Sequence, residues 1–179
     1  VGPNTWNNWK AELIRTPYRS TAMALEHGLE AVNRETAEKE AKKALRAALS
    51  DWDTKSLRTE TARHYGPYWQ GFPSDAHVVF ASLLKGIADD EIRIDIKPDE
   101  DRVATRVCFA LADHPGIFAR LSGALALVGA NVVDARTYTS SDGYATAAFW
   151  IQDADGAQYE ASRLPRLKSM ITKTFKGEV

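Results

Sequence analysis

Residues 107–121 read Val107-Cys108-Phe109-Ala110-Leu111-Ala112-Asp113-His114-Pro115-Gly116-Ile117-Phe118-Ala119-Arg120-Leu121, and inside this stretch the hydrophobic period changes. Val107, Phe109 and Leu111 alternate, as one face of a strand does. Ile117, Phe118 and Leu121, continued by Leu125 and Val128, recur at helical spacing. A strand therefore runs directly into a helix, with Pro115-Gly116 as the break between them and Gly129 as the stop signal at the far end.

The pattern continues outward on both sides. After Gly129, Val133, Ala135 and Thr137 share one face of a strand, Ser141-Asp142-Gly143 is a hairpin turn, and Ala145, Ala147, Phe149 and Ile151 alternate in the strand that follows. Ala154-Asp155-Gly156 is another turn, and Leu164, Leu167, Met170 and Ile171 line one side of a last helix. This is βαββα, the first five elements of a ferredoxin-like βαββαβ unit whose last strand is missing. The first strand would then have an open edge. Upstream, Ile92, Ile94 and Ile96 alternate with Arg93, Asp95 and Lys97 in a half-buried strand, and this strand or a second copy of the chain is expected to cover that edge. Pro98 to Asp101 reads as a charged linker.

Before Asp89 the pattern is helical throughout. Trp6, Trp9, Leu13 and Ile14 form one stripe, which Pro17 should kink or end because it removes a backbone donor. Asn33 is a suitable N-cap for a second helix running to Leu49, whose apolar residues are mostly alanines on a thin, solvated rod with mixed charges at i,i+4 spacing. A third helix is expected from Thr54 to His64, then an aromatic loop from His64 to Pro73, then a fourth helix capped by Ser74 and carrying Val78, Val79, Leu83, Leu84 and Ile87. The aromatic loop suits packing between helices better than base stacking, since no basic surround accompanies it. The fold class is α+β: a helical segment over residues 1–89 and a C-terminally truncated domain with its preceding strand over 90–179.

The 179 residues are 44% hydrophobic, and 23 Lys+Arg against 24 Asp+Glu leave a net charge of −1. No global field draws such a chain to nucleic acid or to an anionic membrane. Cys108 is the single cysteine and lies in an apolar run, which predicts an inert buried thiol and suits a reducing cytoplasm. No membrane span and no secretory signal is legible, and the start at Val1-Gly2-Pro3 suggests a piece excised from something longer.

Chemistry concentrates at the strand–helix junction. Pro115 has no donor to lose at a helix start, Gly116 lets the backbone approach a ligand, and the amides that follow can hold a carboxylate. Asp113 supplies an anion for an ammonium group. Asp113, His114, Pro115, Gly116, Ile117 and Phe118 thus describe a site for a free amino acid, with Asn131 at the far end of the helix as a further polar contact. The same residues also allow a bland alternative, in which Asp113 caps the helix and Pro115-Gly116 makes a tight turn. Arg120 and Arg136, as lone arginines on amphipathic elements, are left outside the site.

Asp113 to Phe118, with the small-residue helix and Gly129-Ala130-Asn131-Val132, resembles the loop, helix and second strand of ACT domains, which bind amino acids, commonly between paired domains. Thr105-Arg106-Val107, Asn131-Val132-Val133-Asp134-Ala135-Arg136 and the segment from Thr146 to Asp153 resemble more closely the first ACT domain of the bifunctional uridylyltransferase/uridylyl-removing enzymes. Trp6-Asn7-Asn8-Trp9-Lys10-Ala11-Glu12-Leu13 is similar to their helix after the metal-dependent phosphohydrolase motif, and His64-Tyr65 through Trp69 to the connector before the first ACT domain.

The resemblance implies a regulatory segment of an enzyme that attaches UMP to the PII signalling protein when glutamine is scarce and removes it when glutamine is plentiful. L-glutamine is the implied ligand, with a second ACT domain or chain as the structural partner and Mg²⁺ serving the parent enzyme only. The segment itself should be non-catalytic. It lacks a Gly-Ser turn with paired carboxylates and any His-Asp dipeptide, and His27, His64, His77 and His114 show no i,i+4 pairing. Asp153-Ala154-Asp155 lies in a turn where acids are ordinarily solvated. The competing reading is a ligand-free ACT scaffold or dimerisation module, of this enzyme or of another such as a nucleotide-signalling synthetase/hydrolase.

Overall fold

The computed structural model describes residues 17–177, and the expected stripe of Trp6, Trp9, Leu13 and Ile14 lies outside them. The chain divides into two units, residues 1–40 and 41–179. Helix α1, Pro17–Ala48, passes through Asn33 without interruption, so Asn33 is an interior helical residue and not a cap. Good helix formers on both sides outweigh the small propensity penalty of a single Asn. In the first unit, Leu25, Leu29 and Val32 are exposed along α1.

In the second unit, the end of α1 is followed by α2 (Thr54–Arg63), α3 (Gly66–Gly71) and α4 (Ser74–Leu84). Asp53 caps α2, its carboxylate accepting the Ser56 N–H at 2.7 Å. The aromatic stretch is not a loop: α3 occupies its centre, with Pro67 in the first turn where a missing N–H costs nothing. Ser74 is the first residue of α4, and the cap position falls on Pro73, which has no side chain able to bond the helix.

Four strands follow or alternate with two helices: β1 (Ile92–Asp99), β2 (Ala104–Ala112), α5 (Ile117–Leu127), β3 (Asn131–Thr139), β4 (Tyr144–Gln152) and, after a 3₁₀ turn at Ala161–Arg163, α6 (Leu164–Phe175). The sheet order is β1-β2-β4-β3, antiparallel throughout, giving the ferredoxin-like ACT arrangement with one substitution. The strand preceding the unit, β1, pairs with β2 from Ile92↔Leu111 to Asp99↔Ala104, in the position that the sixth element would fill. The expected linker at Pro98 is therefore strand: Pro98 pairs with Thr105, and an edge strand tolerates proline on its open side. In β3 the expected alternation breaks at Val133, where a bulge shifts the register and leaves the side chain exposed.

Both sheet faces are buried. Val107, Phe109, Leu111, Ala145, Ala147, Phe149 and Ile151 pack against Ile117, Leu121 and Leu125 of α5 and Leu167 and Ile171 of α6. On the opposite face, Ala104, Cys108, Ala148 and Trp150 pack against Leu45, Tyr68, Trp69, Phe72, Val79 and Phe80. The aromatic segment thus seals helices to the sheet: His64 stacks on Tyr68 at 3.6 Å, and Tyr68 and Phe72 meet Tyr138 of β3 edge-on at 6.2 and 5.0 Å. Burial pushes the Cys108 thiol up to about 12, which keeps it protonated and inert. No helix among the described residues is long and apolar enough to cross a membrane.

Candidate functional site

The junction between β2 and α5 is fixed from two sides. The Asp113 N–H donates to the Gly143 carbonyl at 2.8 Å, and the Thr139 hydroxyl donates to Asp113 Oδ2 at 3.2 Å, so the loop is tied to the β3–β4 turn. The Ile117 N–H donates to the His114 carbonyl, and the Arg120 N–H to the Gly116 carbonyl. Gly116, at φ 82°, is the cap residue of α5, a conformation that a side chain would strain. Helix α5 therefore starts at Ile117, two residues after the expected Pro115, and Asp113 does not cap it: the cap position is Gly116, and the Asp113 carboxylate accepts from Thr139 instead. The Phe118 and Ala119 amides occupy second and third helical positions, whose N–H groups have no partner within a helix.

Asp113, His114, Pro115 and Gly116 are exposed at this junction. Ile117 faces the core at 7% exposure, and Phe118 stays half open while stacking on Phe149 at 5.4 Å. Asn131 is exposed at the start of β3, at the other end of α5 and about 16 Å away from the helical rise. Within one chain, then, the loop residues come together and Asn131 stands apart.

Beside the loop lies a cavity of about 270 Å³, of whose predicted residues only His114 forms a wall. Its other walls come from the start of β1, the end of β2, α5 and the end of α6. Asp89, Asp90 and Glu91 give its lining negative charge, and Arg120 and Lys176 give it positive charge. Asp89 is anchored by the Tyr144 hydroxyl, which donates to its Oδ1 at 2.6 Å. Arg93 bonds Glu91 at 3.2 Å and is the main reason its carboxyl lies below the ordinary value. Asp90 makes no hydrogen bond or ion pair among the described residues.

Arg120 was set aside in the sequence, yet it stands one turn after Gly116. Its Nη2 donates to the Phe175 carbonyl at 3.0 Å, and its guanidinium lies 4.2 Å from the Phe175 ring. The i+4 spacing from the cap glycine was the available signal. Lys176 and Phe175 had none, because nothing local says where the end of α6 falls. Arg136 belongs to the other face of the sheet, donating to the Gly71 carbonyl at 2.6 Å.

The turn that holds Asp113 also reaches the helical segment. Arg63 of α2 binds Asp142 at 3.2 Å, its carbonyl accepts the Ser141 N–H at 2.8 Å, and it pairs with buried Glu60, which also lies 2.7 Å from His64 Nε2. Asp153 Oδ1 accepts the Asp155 and Ala157 N–H groups and so organises its own turn. Among the described residues no group of three or more His, Cys, Asp or Glu is placed to hold a metal.

No family model matches the chain. Over its full length it is 68% identical to a bifunctional uridylyltransferase/uridylyl-removing enzyme of Cereibacter sphaeroides, of which it covers 19%. It is 64% identical to the enzyme of that description in Ruegeria pomeroyi, covering 20%, and 35% identical to the one in Rhodospirillum rubrum, covering 19%. The resemblance read from particular motifs thus holds along the whole chain, which matches one segment, about a fifth of the length, of these larger enzymes.

Proposed function

We propose that this segment is the amino-acid sensor of a bifunctional uridylyltransferase/uridylyl-removing enzyme, with L-glutamine as ligand and no chemistry of its own. The carrying observation is the cavity beside the β2–α5 loop, whose acidic and basic walls suit a zwitterion. The α-carboxylate is received by Arg120, Lys176 and the first amides of α5, and the α-ammonium group by Asp90 and its neighbours. His114 closes the side next to the loop. A ligand held there bears on α5 and, through Asp113 and the β3–β4 turn, on Arg63 in the helical segment. Glutamine needs only a preference for one arrangement to shift the parent enzyme between attaching UMP to the PII protein and removing it, typically about 1–3 kcal/mol. The parent enzyme works in the cytoplasm, and its nucleotidyl transfer with Mg²⁺ belongs to other segments.

Calorimetric titration with L-glutamine, beside L-glutamate and L-asparagine, tests this reading. Heat selective for glutamine that weakens at least about tenfold in Arg120→Gln and in Asp90→Asn is expected. Absence of heat at millimolar ligand would sink it.

One observation favours a second reading as a pairing module. β3 is an open sheet edge, and Val132, Val133 and, on the neighbouring helix, Leu127 are exposed beside it, suited to a second ACT domain or chain. Ligand-independent dimers, detected by sedimentation and abolished by Val133→Lys, would favour that module over the sensor.

A further inference from the structure

A second cavity, of about 310 Å³, opens between one face of α2 and the end of α4. Trp52, Lys55, Ser56, Thr59 and Arg63 follow one another at helical spacing along one wall, and Lys85 and Gly86 form the other. Lys55 and Lys85 form no close ion pair among the described residues, though both attract the nearby Asp53 carboxylate, and Lys85 Nζ is steadied 4.3 Å from the Trp52 ring. Asp53, next in sequence to Trp52, is occupied by the Ser56 N–H. Glu60 is the one carboxylate in the wall, and its two oxygens already face Arg63 at 3.2 Å and His64 at 2.7 Å. Arg63 Nε is buried without a partner.

The opposite wall lacks free acceptors. Arg93 takes the carbonyls of Leu83, Lys85 and Gly86 at 3.0, 2.6 and 3.2 Å, so backbone oxygens there are already bonded to a cation. The Ser56 hydroxyl already serves the Asp53 carboxylate, while the Thr59 hydroxyl makes no bond among the described residues and is free to donate. The lining holds three cationic side chains against one carboxylate, Glu60, with the acids Asp53 and Asp142 outside it, so the cavity surface itself carries a surplus of positive charge in a chain whose net charge is −1. Such a lining rejects cations and fits an anion.

We propose that this cavity is a second ligand site, separate from the amino-acid cavity, for a small molecule bearing a dianionic oxyanion, either a phosphate monoester or a dicarboxylate. Lys55 and Lys85 neutralise the two charges, and Thr59 donates to the oxygens. Arg63 joins the site to the β3–β4 turn through Asp142.

The test is amide-resolved NMR titration of the whole chain with glycerol phosphate and, separately, with succinate, each against sodium chloride at matched ionic strength. Saturable shifts at residues 52–63 and 85–86 are expected at millimolar ligand, weakening about tenfold or more in Lys55→Gln/Lys85→Gln. Both lysines are exposed, so an unchanged melting midpoint will show that the variant folds. A stronger response to glycerol phosphate assigns a phosphate monoester, and a stronger response to succinate a dicarboxylate. No saturable shift with either, or equal affinity in the variant, overturns the proposal.

Discussion

One face of the sheet presents Val107, Phe109, Leu111, Phe149 and Ile151 to α5 and α6, while the other presents Ala104, Arg106, Cys108, Ala148 and Trp150 to the preceding helices. The first is a core of large apolar side chains. The second mixes small residues with aromatic rings and buried polar groups, including His64, His77 and Arg106. Burial is equal on both sides, yet only the first is written in a conspicuous alternation. Small residues in β2 and β4 mark where helices approach the sheet closely, and a small residue carries little signal about its own burial.

If the faces are two halves of one cooperative unit, truncating either should melt both. Phe149→Ala and Phe80→Ala each remove a ring with no solvent exposure and are expected to cost about 3–5 kcal/mol in urea unfolding. Fluorescence and far-ultraviolet dichroism should report one transition in each variant. Two separated transitions would break the equivalence and make the helical cap an independent layer.

A smaller effect separates the faces by chemistry. Arg106 is 5% exposed and binds Asp75 at 2.8 Å, with its Nε unpartnered. Asp75→Ala strands that guanidinium and should cost about 2 kcal/mol, less than a fully buried pair because Asp75 is itself largely exposed. Arg106→Met replaces the buried charge by an apolar chain and is expected to stay within about 1 kcal/mol of the parent or to gain stability. Equal losses from both changes would show that the pair stabilises this face.

The polar face also predicts pH dependence. Burial lowers the His77 value below 6.5 despite its bond to the Tyr68 carbonyl at 3.3 Å. The unfolded chain therefore takes up a proton first, so this contribution is whole above 6.5 and is lost as pH falls through the depressed value. One proton limits the slope to about 1.4 kcal/mol per pH unit. His77→Gln, able to keep the bond without titrating, should flatten the melting-temperature profile below neutrality, and an unchanged profile would remove His77 from the account.

The smallest effect belongs to neither face. Val103, in the β1–β2 turn, has φ 49°, a left-handed conformation that a β-branched side chain disfavours, and it is exposed. Val103→Gly is expected to raise stability by about 0.5–1 kcal/mol in the same urea assay, since relief of strain exceeds the entropy glycine adds to the unfolded chain.

Periodicity by itself determined the strand–helix–strand–strand–helix order, the hairpin at Ser141-Asp142-Gly143, and Gly129 and Gly156 as left-handed turn residues, because hydrophobic period and glycine turns are local properties. It also placed the loop of Asp113 to Phe118 at its junction. Residues far apart in sequence had to meet before the rest was decided. That β1 completes the sheet depends on a pairing between two strands, which neither strand encodes alone. Arg120 entered the cavity wall because the end of α6 came to rest beside it, and α3 formed inside an apparent loop because its aromatic residues found a sheet face to cover. Tertiary packing overrides weak local preference wherever it buries more surface than the local choice costs, as with α3, whose Tyr68 and Trp69 are buried against the sheet, whereas α1 passes through exposed Asn33 on local propensity alone.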